Sequence, residues 1–239
     1  MKARQPCRGG AVEFDEVDAG SYTVDVEASL SGSLSGVGSA EVAVSEGETA
    51  SCSVLMSRVY TAAQAAERIS DNNGENWNII VAGPIDYYTL LEISENLNSI
   101  SGRISLDLSR TTGLTEIGTS KFMDCTSLSG IVLPEGIGSI EENAFTGCSA
   151  LESIELPGNL PEISCNTFNI CKKLKSIYIP VSVKEIGTYA FDECDALTTV
   201  NYGGTEAEWE NITIKSNNPP FESGSGTKII FSNDATKTL

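Results

Sequence analysis

A 23-residue period governs the middle of this chain. Phe122, Phe145, Phe168 and Phe191 are each 23 residues apart, and so are Cys125, Cys148, Cys171 and Cys194. Leu128, Leu151, Leu174 and Leu197 keep the step, as do Ile131, Ile154, Ile177 and Val200, and Ile117, Ile140, Ile163 and Ile186. The unit reads Phe-x-x-Cys-x-x-Leu-x-x-Ile-x-Leu/Ile-Pro, with Pro134, Pro157 and Pro180 in three of the units. A period of this length marks a stack of similar coils. A single coil cannot bury its apolar residues, but stacked coils can, at about 4.8 Å per strand.

The spacing sets the local structure. In Leu-x-x-Ile-x-Leu the apolar residues alternate, so Ile131 and Leu133 face one side of a short strand and Val132 the other. Proline directly after the strand removes a ladder donor and stops it. The Ala-Phe-x-x-Cys segment then returns the chain as a turn or short helical piece. Phe, Cys, Leu and Ile of successive units form columns, each fully buried large apolar side chain contributing about 1.5–3 kcal/mol.

The stretches Ile131–Phe145 and Ile186–Cys194 carry a closer likeness. With their neighbours in residues 114–203 they resemble the BspA-like leucine-rich repeats, also called the Treponema pallidum type. The ending from Tyr202 to Trp209 resembles the way such arrays close. The resemblance implies a surface or secreted protein of bacteria or some protozoa that adheres to host proteins or other cells. The repeats themselves speak only for the architecture.

The flanks complete the expected fold. Thr61–Gln64 is a capping-box pattern, and Ala62, Ala65, Ala66 and Ile69 follow at helical spacing. Residues 77–81 and 104–108 read as strands, and Tyr87, Leu90, Leu91, Ser94 and Leu97 as one helical face between them. Strand, helix, strand predicts a right-handed crossover that starts a parallel sheet. Glu206–Trp209 and Ile229–Phe231 are expected to close the other end. In residues 1–57, Tyr22, Val24, Val26, Ala28 and Leu30 alternate with polar residues, then Ala40, Val42 and Val44, then Ala50, Cys52, Val54 and Met56. This predicts antiparallel strands. Ala19–Val24 resembles small immunoglobulin-like or prealbumin-like modules of secreted bacterial proteins. About four strands fall short of a sandwich of about seven, so the missing ones are expected before Met1, leaving an exposed sheet edge.

The predicted class is therefore mixed α/β: a leucine-rich-repeat solenoid with a parallel sheet on its concave face, an α/β N-terminal cap and a small antiparallel β module. The divisions are 1–57 for the partial sandwich-like module, 58–109 for the cap, 110–204 for the repeats and 205–239 for the C-terminal cap.

Composition narrows function. The net charge of −18 would repel nucleic-acid phosphates and anionic membranes. The chain has no histidine, which removes Ser–His and Cys–His nucleophile pairs and His-ligated metal sites. No stretch approaches the roughly 20 apolar residues of a membrane span. Met1–Cys7 has no apolar core, so it is not read as a signal peptide; a fragment, or a chain whose leader has been removed, is expected. Asn211-Ile212-Thr213 is a glycosylation sequon, relevant only to a eukaryotic source.

The cysteine column has three readings. Buried small hydrophobes are favoured; disulfides between coils are disfavoured because stacked Cβ atoms point in parallel; a straight row of thiols lacks tetrahedral metal geometry. Cys165 lies off the column, and pairing of Cys7 with Cys52 stays open.

Strand positions facing away from the core form the candidate binding surface. They include Asp107, Val132, Glu155, Tyr178, Thr199 and Asn201, flanked by Glu152 and Lys175. Aromatic and charged residues on such a face suit protein recognition. No catalytic residues, cofactor or metal are expected. The preferred function is an extracellular, adhesin-like module binding a host or cell-surface protein. The alternative is a structural spacer presenting part of a larger surface polypeptide. The ligand and the mode of surface anchoring stay open.

Overall fold

The computed structural model describes residues 20–30, 33–44, 57–233 and 235–239. The chain divides into two compact units, Met1–Arg58 and Val59–Leu239. In the first, β1 (Gly20–Leu30) pairs antiparallel with β2 (Ser33–Val44), from Gly20 opposite Val44 to Leu30 opposite Ser33. The strand expected around Ala50–Met56, and both Cys7 and Cys52, lie outside the described residues.

The second unit opens on the end of β3 (Ser57–Tyr60), where Val59 and Tyr60 pair in parallel with β4 (Trp77–Pro84). Between them lies α1 (Ala62–Ser70), whose cap Thr61 and third residue Gln64 exchange the reciprocal bonds of a capping box. Helix α1 buries Ala62, Ala65, Ala66 and Ile69. Helix α2 (Tyr87–Ser99) then leads to β5 (Ile104–Thr112), parallel to β4. The buried stripe of α2 is Leu90, Ile93, Ser94 and Leu97. This corrects the expected face: Tyr87 is 61% exposed, and its ring instead covers the Lys121 ammonium 3.5 Å from its centroid. A phenol at the helix start keeps its hydroxyl in water while its π face serves the cation.

The repeats add β7 (Leu128–Val132), β9 (Ser153–Glu155), β11 (Ser176–Ile179) and β13 (Thr199–Tyr202), all parallel. Each coil also carries a two-residue strand on its descending side: β6 (Glu116–Ile117), β8 (Ser139–Ile140), β10 (Glu162–Ile163), β12 (Glu185–Ile186) and β14 (Thr213–Ile214). This second parallel ladder breaks between β8 and β10. Gly138 N–H donates to Thr115 and Lys184 N–H to Pro161, but Pro161, at the corresponding position, has no N–H for Gly138. The Ser164 hydroxyl bridges the break by donating to the Ile140 carbonyl at 2.9 Å.

Three side-chain columns hold the coils together. The rings of Phe122, Phe145, Phe168 and Phe191 stack with centroids 5.3, 5.5 and 5.3 Å apart. Such pairs contribute about 0.5–1.5 kcal/mol beyond their burial. The thiols of Cys148, Cys171 and Cys194 each donate to the carbonyl of the phenylalanine one coil back, Phe122, Phe145 and Phe168, at 3.0–3.2 Å. The column cysteines are all free. Burial pushes the Cys125 and Cys194 thiols up to about 12, and those of Cys148 and Cys171 well above their usual value. The aliphatic column of Leu and Ile completes the core.

The turns between strands use left-handed backbone twice per coil. One series is Ser120, Asn143, Asn166 and Tyr189; the other is Asp124, Gly147, Ile170 and Glu193. At the C-terminal end, α3 (Glu206–Trp209) starts at a Thr205–Glu208 capping box. Trp209, Tyr202 and Phe231 form an edge-on aromatic group. The last strands are β15 (Lys228–Ile230), parallel to β13, and β16 (Thr236–Thr238), which turns antiparallel. Lys237 ties β16 to Glu206 of α3 at 3.1 Å and to the α3 C-cap Glu210 at 2.8 Å.

Candidate functional site

The outward face of the main sheet is built by strand alternation. Because Ile131, Ile154, Ile177 and Val200 point into the core, their neighbours must point out. One outward row runs Asp107, Val132, Glu155, Tyr178, Asn201. Asp107 is registered with Val132, Glu155 with Tyr178, and Tyr178 with Asn201. A second row of small residues runs Ser105, Gly130, Ser153, Ser176, Thr199. The sequence-predicted residues Asp107, Val132, Glu155, Tyr178, Thr199 and Asn201 thus share one surface.

Glu152 and Lys175 flank it one residue before the small row. They form an ion pair of 2.8 Å, and Arg103 reaches the other Glu152 oxygen at 2.5 Å. The Lys175 and Arg103 hydrogen bonds hold the Glu152 carboxyl down at about 2. All three side chains are over a third exposed, so solvent screens the triad and its worth lies in positioning.

Tyr178 is held against the backbone. A Cβ at Gly203 would lie 2.5 Å from the Tyr178 hydroxyl and 3.4 Å from the Val181 nitrogen. Gly203 stands where the other units have Pro134, Pro157 and Pro180, and its bare backbone makes the seat for the ring. Tyr178 is 37% exposed, Val181 40% and Val132 50%.

Arg103 and Val181 were not among the sequence-predicted residues. Arg103 precedes the first repeat, and the irregular β5–β7 register breaks a simple count back from Glu152. Val181 was findable: the same position holds Glu135, Gly158 and Gly204 in the other units, so an apolar residue there is a departure.

Elsewhere, a pocket on the descending side is lined by Glu141, Glu142, Glu162, Glu185, Ser164 and Cys165 among others. Among the described residues, no group of His, Cys, Asp or Glu is arranged to hold a metal ion. None of the described helices is long and apolar enough to cross a membrane.

The profile of the BspA type leucine rich repeat region matches residues 92–219, in six copies. The chain belongs to the BspA-type leucine-rich-repeat family. The matched span of the BspA-type chain holds α2 from Glu92 onward, the Phe and Cys columns and the outward row. Among solved structures it is similar to a leucine rich cell surface protein from Faecalibacterium prausnitzii A2-165, at 29% identity and a TM-score of 0.47, over 62% of this chain and 37% of that one. It is similar to the T. pallidum leucine rich repeat protein at 29% identity and a TM-score of 0.41, over 54% and 59%. A leucine-rich repeat protein from Bacteroides ovatus ATCC 8483 follows at 20% identity and a TM-score of 0.43, over 68% and 43%. The chain spans less than two thirds of the length of each. A comparison with curated proteins yields no match.

Proposed function

We propose that this chain is a non-catalytic, adhesin-like binding module, displayed outside the cell, that engages a host or cell-surface protein through the outward face of its parallel sheet. The observation that carries the reading is Tyr178 seated over Gly203 on a registered strand array. An aromatic side chain already held in place loses little freedom when a partner covers it. Membership of the BspA-type family supports surface display, and the charge of −18 favours protein over nucleic acid as the partner.

The test is binding of the purified chain to immobilised matrix proteins, plasma proteins and glycans, alongside Tyr178→Ala and Lys175→Glu variants. Saturable binding that Tyr178→Ala weakens supports the module. Binding that neither variant changes moves the contact off this face. No binding to any member of the panel favours a spacer that presents another part of a longer polypeptide.

A further inference from the structure

The outward face is unevenly charged. On the edge nearest the strand starts, Arg103 and Lys175 are both engaged by Glu152. On the opposite edge, Asp107 and Glu155 have no ion pair among the described residues, and Asp107 accepts a bond from the Ser109 N–H at 2.8 Å. Exposed Lys228 stands at the far C-terminal end, registered with Thr199, two strands beyond Tyr178. The Asp107–Glu155 edge therefore carries two carboxylates without an ion pair among the described residues, while the Lys184 ammonium beside it donates to the Val181 carbonyl at 2.8 Å. The same edge also carries Val132, Tyr178 and Val181, three of the seven large hydrophobic side chains exposed among the described residues.

Acid and apolar positions alternate from strand to strand: Asp107, Val132, Glu155, Tyr178. Like residues are thus two strands, or about 9.6 Å, apart. We infer that this edge docks a polypeptide segment presenting Lys or Arg beside apolar side chains. The inference rests on the outward-face reading above and names the chemistry of the partner. Apolar contacts with Val132, Tyr178 and Val181 supply burial. The two carboxylates supply selection and steering, and the overall charge of −18 draws basic segments inward. An acidic partner would meet the same carboxylates as repulsion.

The probe is a synthetic amphipathic peptide of Lys and Leu, with its Glu and Leu counterpart, titrated against the full chain. One variant is Asp107→Asn/Glu155→Gln. A charge-matched control, Glu116→Gln/Glu162→Gln, removes two exposed carboxylates from the second ladder. The Lys/Leu peptide should bind saturably and the Glu/Leu peptide far more weakly. The first variant should weaken Lys/Leu binding about five- to tenfold, and the control less than about twofold. Equal weakening by both variants, equal binding of both peptides, or no saturable binding overturns the inference. A panel protein lost with Tyr178→Ala but indifferent to Asp107→Asn/Glu155→Gln keeps the face and discards the basic partner. Indifference to all of these variants discards both.

Discussion

The amide N–H of Phe191 donates to the side-chain oxygen of Asn218 at 2.9 Å. In earlier coils the corresponding amides of Phe122, Phe145 and Phe168 donate to backbone carbonyls of the next coil, at Ala144, Thr167 and Ala190. Asn218 thus supplies from its side chain the acceptor that a further coil would have supplied. Its amide nitrogen also satisfies the Gly187 and Lys215 carbonyls at 2.9 Å. It is 2% exposed, so its bonds are shielded from water.

Asn218→Ala should therefore destabilise the C-terminal coil by about 1–3 kcal/mol, the cost of orphaning buried polar groups. Native-state hydrogen exchange reads this directly. The Phe191 amide should lose protection, while the Phe145 amide, two coils away, keeps most of its own. Unchanged Phe191 protection would refute the role of Asn218.

The column thiols should be inert. Burial raises all four, and three donate to phenylalanine carbonyls. The thiolate is the reactive form. Alkylation of the folded chain at mildly alkaline pH, followed by peptide mapping, should label half-buried Cys165 well before Cys125, Cys148, Cys171 or Cys194. Rapid labelling of Cys148 or Cys171 would contradict the packing described.

Glu152 should titrate low. Its carboxyl falls from the usual 4.5 to about 2 because Lys175 and Arg103 bond the charged form. A depressed carboxylate contributes stability that is present above its unfolded value and lost as pH falls through its folded one. The triad's contribution should therefore fade between about pH 4.5 and about pH 2, and be smaller in Glu152→Gln. Carbon-13 titration of the Glu152 carboxyl should give a midpoint near 2. A midpoint at the ordinary glutamate value would show the triad open in solution.

Tyr189 sits at φ 57° in a series otherwise filled by Ser120, Asn143 and Asn166. Asparagine adopts this region more readily than tyrosine. Tyr189→Asn should raise stability by roughly 0.5–1 kcal/mol, less the value of the partly exposed ring. Chemical denaturation would show the gain as a higher midpoint at constant slope.

The core was legible in the sequence because its Phe, Cys, Leu and Ile columns repeat at a fixed step, and packing demands the same residue at the same place in each coil. The outward row was legible for the same reason, as the complement of those columns. The second ladder was not, since two-residue strands such as Glu162–Ile163 leave no alternation to read. Nor was its interruption, which turns on one missing N–H at Pro161. Tyr87 was misplaced because periodicity cannot tell a buried ring from one covering the Lys121 ammonium. The seat of Tyr178 depends on a glycine replacing a repeat proline one coil later, a relation between coils that a within-unit pattern does not display.

Hydroxyl-radical footprinting of the chain, free and saturated with a panel protein that it retains, reads out which face the partner covers. Tyr178 and Val132 should become protected, while Tyr189 and Met123, exposed but outside the outward row, should react as before. Protection of Tyr189 or Met123 with Tyr178 and Val132 unchanged would place recognition on another surface and contradict binding through the outward face.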